Sequence, residues 1–164
     1  MYIPTLKAIV FGVSFLCALT INAQTPTICV KPVQVSDATR ENWSPGIVRE
    51  NTGNAGGVIY QVSVKIRKKG EVSFNSLIVD GQVLDIESVK YGERNAAGPF
   101  MKGDELLLIA RSDRSKHVAG ADASLLQRVK DHKAEGAILY TFKNKQYLRP
   151  IEAFTEKRDN PLPK

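Results

Sequence analysis

A ten-residue stretch sets the fold class: Val58-Ile59-Tyr60-Gln61-Val62-Ser63-Val64-Lys65-Ile66-Arg67. Its apolar members take alternate positions and would share one face of a pleat: Val58, Tyr60, Val62, Val64 and Ile66. Polar side chains occupy most of the other positions, and no helical period of 3.6 residues fits the series. The stretch predicts a half-buried β-strand, the first of four strands between Gly56 and Arg111.

Turn signals separate these four strands. Lys68-Lys69-Gly70 predicts a turn in which Gly70 takes a positive φ. For the next hairpin we predict a three-residue loop, Val79-Asp80-Gly81, with Gly81 left-handed. This register places two sets of apolar residues on the same face: Val72, Phe74 and Ile78 with Leu84 and Ile86. Lys102-Gly103-Asp104 then turns the chain into a continuous apolar run, Glu105 to Ala110, which is typical of a buried strand.

Outside this region the pattern is weaker. Ile28 to Val35 predicts an edge strand, because Pro32 lacks a backbone donor. Ser36 to Gly57 reads as a long connection with a short strand around Ile47 and Val48, and Trp43 is interpreted as a cap on the core. Near the C-terminus, a turn at Asn144-Lys145 would pair the following residues: Phe142 with Tyr147, Tyr140 with Arg149, and Ile138 with Ile151.

The segment from Ser112 to Glu135 is the longest departure from the strand pattern. Leu125, Leu126 and Val129 have helical spacing, so the segment predicts two or three helical turns. Asp122 could cap the start of this helix, and Gly136 could end it.

These elements predict an all-β fold, a single antiparallel β-sandwich with one short helical excursion. Its predicted core comprises Val58, Tyr60, Val62, Val64, Phe74, Ile78, Leu84, Ile86, Leu107, Ile109, Ile138 and Tyr140.

The first 23 residues predict a cleaved signal peptide, because Lys7 precedes the apolar run Ala8–Leu19 and small Ala23 precedes the cut. An uncleaved membrane anchor is the alternative, but the apolar run is shorter than a bilayer span requires. The predicted organisation is a signal peptide at 1–23, a flexible lead-in at 24–27, a β-sandwich domain at 28–154 and a flexible charged tail at 155–164. The mature chain is therefore expected to be secreted or periplasmic, with no stable membrane span.

Charge and cysteine content narrow the function classes. Removing Lys7 reduces the net charge from +6 to +5, an excess that we interpret as a solvated surface spread along the chain. Export makes nucleic acid an unexpected partner, despite the basic cluster of Lys65, Arg67, Lys68 and Lys69. Cys29 would be the only mature thiol once Cys17 is removed, so no internal disulfide and no cysteine zinc site can form.

Catalytic patterns are weak. The only histidines, His117 and His132, lie in the helical excursion, where Asp122 and Asp131 are the neighbouring acids. Adjacent residues on a helix point in different directions, so Asp131-His132 is no ready catalytic pair. Five carboxylates lie in or beside the strands: Asp80, Asp85, Glu87, Asp104 and Glu105. We interpret all of these as structural or surface groups, and we predict no catalytic, metal-binding or cofactor-binding residue.

The spacing of five segments resembles that of small exported proteins of Gram-negative bacteria, which are uncharacterised immunoglobulin-like sandwiches. The segments are Trp43, Tyr60–Val62, Phe74–Gly81, Lys102–Leu106 and Glu135–Tyr140. The resemblance implies an architecture and carries over no catalytic residue.

From the export signal and the absence of catalytic spacing we expect a non-enzymatic binding module of unknown ligand. Its partner would be a protein or polysaccharide of the cell envelope, bound by the Tyr91–Pro99 loop together with the Ser112–Glu135 excursion. The alternative is a hydrolase or metal-binding protein that uses His117, His132 and nearby carboxylates.

Overall fold

The computed structural model of the protein describes residues 26–43, 56–113 and 120–157. Within these ranges the chain forms ten strands and one helix: β1 (Thr27–Ile28), β2 (Val33–Trp43), β3 (Gly57–Ile66), β4 (Val72–Val79), β5 (Gln82–Tyr91), β6 (Arg94–Asn95), β7 (Glu105–Asp113), α1 (Ala123–Asp131), β8 (Gly136–Phe142), β9 (Lys145–Ile151) and β10 (Thr155–Glu156). This composition confirms the all-β class with one short helix.

The strands follow one another in a single curled sheet, in the order β1-β9-β8-β4-β5-β7-β3-β2-β10, with β6 paired to β5. β5 holds the two halves together, because Gln82–Asp85 pair with β4 whereas Ile86–Lys90 pair with β7. The two ends of the sheet come close to each other where β2 contacts β9. The finer prediction, a two-sheet sandwich, stays a prediction.

The concave face of the curled sheet carries the main core. β3 was predicted correctly, and its alternate residues Tyr60, Val62, Val64 and Ile66 are all buried. The neighbouring and facing strands supply further buried side chains: Val33, Ala38, Leu77, Leu84, Leu106, Leu108, Ile138 and Tyr140. Val58, Phe74 and Ile86 are only partly buried, but they pack against this cluster.

The helix α1 covers the convex face of the half-sheet that contains β4, β8 and β9. Its buried residue Val129 packs with Ile78, Ala137 and Leu148, and Leu125 and Leu126 pack beside them. The Asp122 carboxylate accepts a hydrogen bond of 3.0 Å from the Ser124 N–H, so the predicted N-cap is confirmed. The helix ends at Asp131, and not at Gly136, which is the first residue of β8.

The prediction that Ser36 to Trp43 belongs to a long connection was wrong. These residues continue β2, which pairs with β3 from Val33–Ile66 through to Trp43–Gly57. The strand escaped detection because its later residues are polar on both faces. Ile47 and Val48 lie outside the described residues.

Both predicted hairpin registers were wrong for the same reason. The turns are two-residue turns at Asp80-Gly81 and Lys143-Asn144, and all four residues have φ between 50° and 77°. Such turns match the right-handed twist of the flanking strands. Tyr140 consequently pairs with Tyr147, and not with Arg149.

The same register shift applies to the other residues of that hairpin, since Phe142 pairs with Lys145 and Ile138 pairs with Arg149. In the first hairpin, a two-residue turn would place Ile86 opposite Asn75 if the β4–β5 pairing continued that far. That conflict does not arise, because the β4–β5 pairing stops at Ser76–Asp85 and Ile86 pairs with Ala110 of β7.

The buried face of β7 was also predicted incorrectly. Leu106, Leu108 and Ala110 are buried, whereas Leu107 and Ile109 are only partly buried on the convex face. A continuous apolar run gives no alternation from which the inward face could be read.

At the two ends of the domain, short strands replace the predicted flexible segments. Thr27 belongs to β1, which pairs with β9, and Thr155–Glu156 form β10, which pairs with β2. The predicted signal peptide and residues 158–164 lie outside the described residues. Within the described part of the chain, α1 does not have the length and apolar character needed to cross a membrane.

Candidate functional site

The concave face becomes polar toward one end of β2 and β3. Along these strands the inward pairs are apolar at Val33–Ile66 and Ala38–Val62, but the next pair is Arg40–Tyr60. At this end the concave face contains a cleft of about 420 Å³. We call it the mouth cleft, and its lining residues are Arg40, Asn42, Val58, Tyr60, Asp80, Glu156 and Lys157.

A buried tyrosine forms the floor of the mouth cleft. The Tyr60 hydroxyl donates a hydrogen bond of 2.7 Å to Oδ2 of Asp80, in the turn between β4 and β5. Burial raises the pKa of Tyr60 well above its ordinary value, and the hydrogen bond to Asp80 raises it further. Tyr60 is thus held as a neutral donor, and its ring packs edge-on against Phe154 at 5.4 Å between centroids.

A cross-strand ion pair borders the mouth cleft. Nη2 of Arg40 lies 3.2 Å from Oε1 of Glu156, and the two residues are paired neighbours on β2 and β10. Lys157 fixes this edge, because its N–H donates to the Arg40 carbonyl at 2.9 Å and its Nζ donates to Gln61 at 2.6 Å. Because the Arg40–Glu156 ion pair is exposed, it orients the Arg40 guanidinium more than it stabilises the fold.

The mouth cleft balances its charges. The lining residues include two cations, Arg40 and Lys157, and two carboxylates, Asp80 and Glu156, and both carboxylates already accept a hydrogen bond. The exposed Asn42 amide has no hydrogen-bond partner among the described residues and can both donate and accept. This arrangement suits the recognition of polar groups better than proton transfer, which needs a carboxyl or histidine free to exchange a proton.

The described residues do not by themselves form the alternative histidine site. His132 is exposed at the C-terminal cap of α1, whereas Asp122 caps the opposite end of the same helix. No group of three metal-ligating side chains occurs among residues 26–43, 56–113 and 120–157. His117 lies outside these ranges.

The five strand-associated carboxylates are dispersed among separate contacts. Asp80 accepts from Tyr60, Asp104 accepts from the Met101 N–H at 2.8 Å, and Glu87 lies 3.8 Å from Arg111. Glu105 forms an ion pair with Lys65, whose hydrogen bond lowers the pKa of the Glu105 carboxyl. Asp85 is exposed. Of these five acids, only Asp80 lines the mouth cleft.

The two parts of the expected binding surface lie at opposite ends of β5. Ser112 and Asp113 belong to β7, and the described part of the excursion resumes at Gly120, which forms a β-bridge with Gln82, the first residue of β5. The loop starts at Tyr91, the last residue of β5, and part of it forms the hairpin to β6. Nine steps along a strand span about 30 Å, so these segments do not form one surface.

Sequence reasoning missed the mouth cleft because four separate segments build it. Arg40 and Asn42 were placed in a loop, and Glu156 in a flexible tail. The usable signal was the alternation of Ala38, Arg40 and Asn42 on β2, but a bulge between Val35 and Asp37 puts it out of phase with Val33. Comparison with protein-family models and with curated proteins finds no match.

Proposed function

We propose that the protein is an exported binding module of the cell envelope, secreted or periplasmic, with an immunoglobulin-like architecture. The pattern of residues 1–23 supports export. The role of β5 supports a two-layer architecture, since this strand ends one half-sheet and begins the other while both halves share one concave core. The observation that carries the binding role is the convergence of polar side chains in the mouth cleft.

The chemistry of the mouth cleft favours an uncharged, hydroxyl-rich ligand, which in the envelope means a glycan. Arg40 offers donors, Asp80 and Glu156 offer acceptors, and Asn42 offers both. Because the charges balance, a strongly anionic or cationic ligand gains no net attraction. Val58 adds an apolar wall of the kind that packs against the CH groups of a sugar ring.

A glycan array followed by calorimetry tests this proposal. Purified mature protein is applied to immobilised neutral and acidic oligosaccharides, and the best-bound neutral one is then titrated in solution. Asn42→Ala is expected to weaken binding about tenfold, because it removes one or two hydrogen bonds. Glu41→Ala is the matched control, since Glu41 is the neighbour on β2 and points to the opposite face.

Two results would count against the proposal. One is an array on which no neutral oligosaccharide binds, and the other is equal affinity of Asn42→Ala and the unmodified protein.

Export is tested separately by mass spectrometry of the protein made in its own host, with a mature N-terminus expected at or near Gln24. A mature product that still carries Met1 would contradict export.

A further inference from the structure

The positive charge of the protein is concentrated at one end of the curled sheet. We define the basic end as residues 30–31, 65–71, 90–94, 101–105 and 143–145. These segments contain ten Lys and Arg residues against four carboxylates, whereas the other described residues contain seven against eleven. The charge excess is spread along the sequence, but the fold gathers much of it at one end.

Backbone and side-chain contacts bring these segments together. The Gly103 N–H donates to the Ile66 carbonyl at 2.9 Å, and the Arg67 N–H donates to the Pro32 carbonyl at 2.8 Å. A Cβ added to Gly70 would lie 3.4 Å from Cε of Lys143, so the turns before β4 and β9 touch. Lys90 pairs with Leu107, which places the β5–β6 hairpin beside the start of β7.

The exposed large apolar side chains of the described chain lie at the same end. Val30, Tyr91 and Met101 are 47%, 59% and 49% exposed. Each has a cation nearby, because Val30 precedes Lys31, Tyr91 pairs with Arg94, and Met101 precedes Lys102. Single exposed apolar residues are ordinary on a protein surface, but three of them sharing one strongly basic end are not.

From this combination we propose that the basic end docks on an anionic lipid surface. Cations attract a surface of negatively charged headgroups, and apolar side chains beside them enter the boundary between headgroups and acyl chains. Several cations of this end are exposed and have no ion-pair partner among the described residues, including Lys31, Lys68, Lys69, Arg94, Lys102 and Lys145. This surface lies at the opposite end of β3 from the mouth cleft and is independent of the glycan proposal.

Co-sedimentation with lipid vesicles tests the docking. Full mature protein is expected to bind phosphatidylcholine vesicles that contain phosphatidylglycerol, to release at high salt, and to leave phosphatidylcholine vesicles unbound. Lys68→Gln with Lys69→Gln is expected to weaken binding by about fivefold for each charge removed. Lys130→Gln with Lys133→Gln is the control, since it removes the same charge from exposed sites near α1 and should leave binding unchanged.

The apolar residues separate a lipid surface from other polyanions. Tyr91→Ser with Met101→Ser leaves the charge intact and is expected to weaken vesicle binding severalfold. If this variant binds vesicles as tightly as the unmodified protein, and polygalacturonate binds both equally, the surface is a general polyanion site and the lipid assignment is overturned. If Lys68→Gln with Lys69→Gln and Lys130→Gln with Lys133→Gln weaken vesicle binding equally, the basic end is not the docking surface.

Discussion

At the scale of single residues, two buried tyrosine hydroxyls are the most distinctive groups. Tyr60 donates to Asp80, and Tyr140 donates to the Cys29 carbonyl at 2.7 Å. Burial is the main reason that the pKa of both hydroxyls lies well above the ordinary value. Each tyrosine therefore keeps its proton in the folded protein at a pH where the unfolded chain releases it.

This difference predicts a loss of stability in alkali. Above about pH 10 the unfolded state binds fewer protons than the folded state, so the free energy of unfolding falls as pH rises, by up to about 1.4 kcal/mol per pH unit for each tyrosine. Below that pH the contribution is fully present. Urea denaturation from pH 9 upward measures this fall. The free energy of unfolding should fall less steeply with pH in Tyr60→Phe and Tyr140→Phe than in the unmodified protein. Tyr91→Phe, at an exposed tyrosine, should follow the unmodified protein.

One glycine is required for close packing. A Cβ added to Gly57 would lie 1.8 Å from the Ser112 carbonyl oxygen and 2.8 Å from Nε1 of Trp43. The β3–β7 pairing cannot relax without moving backbone, so Gly57→Ala should destabilise the protein by about 2 kcal/mol or more. Gly120→Ala, where a Cβ has no neighbour within 4 Å, is the control and should change the midpoint of denaturation very little. A tolerated Gly57→Ala would show that β3 and β7 are not this close.

At the scale of elements, β7 allows a direct test of which strand face is buried. Leu108 is 3% exposed on the concave face, whereas its neighbour Leu107 is partly exposed on the convex face. Leu108→Ala should cost about 2–5 kcal/mol of unfolding free energy, and Leu107→Ala should cost clearly less. Equal costs would mean that both faces of β7 are similarly buried, and the reverse order would support the sequence-based choice of Leu107 and Ile109.

The strands themselves could be predicted from alternation, but their registers and faces could not. β3 alternates strictly, so its buried residues follow from the sequence. Registers depend on turn geometry, and Lys143-Asn144 adopts left-handed φ values without a glycine to signal them. β5 changes partners after Asp85, which no local pattern reveals.

The candidate site was unpredictable for a related reason. A strand is recognised by apolar residues on its inward face, and β2 has Arg40 and Asn42 there because that part of the sheet opens to solvent. The clustering of charge was only partly visible in the sequence, where Lys65, Arg67, Lys68 and Lys69 lie within five residues of one another. Arg94, Lys102 and Lys143 join them only through the topology of the sheet.

At the scale of the whole molecule, the mouth cleft and the basic end lie about 25 Å apart along β3. Under both proposals, a protein docked through its basic end would present the mouth cleft away from the lipid. Binding at the two sites should therefore be independent. The affinity for phosphatidylglycerol vesicles is expected to be the same with and without a saturating neutral oligosaccharide. Release of vesicle-bound protein by the oligosaccharide would show that the sites overlap or are coupled.

The pairing of β10 with β2 bears on the order in which the chain can fold as it is made. Thr155 pairs with Thr39, and Tyr147 pairs with Thr27, so β1 gains its partner and β2 its second partner only from the last strands synthesised. Pairings across such long stretches of chain form slowly, because the chain loses the entropy of loop closure before the stabilising contacts form. A nascent chain that stops before β8 lacks the strand that joins β4 to β9 and should remain unfolded. Under the export proposal the chain crosses a membrane as an extended polypeptide, and this delay would keep it unfolded until translation is nearly complete.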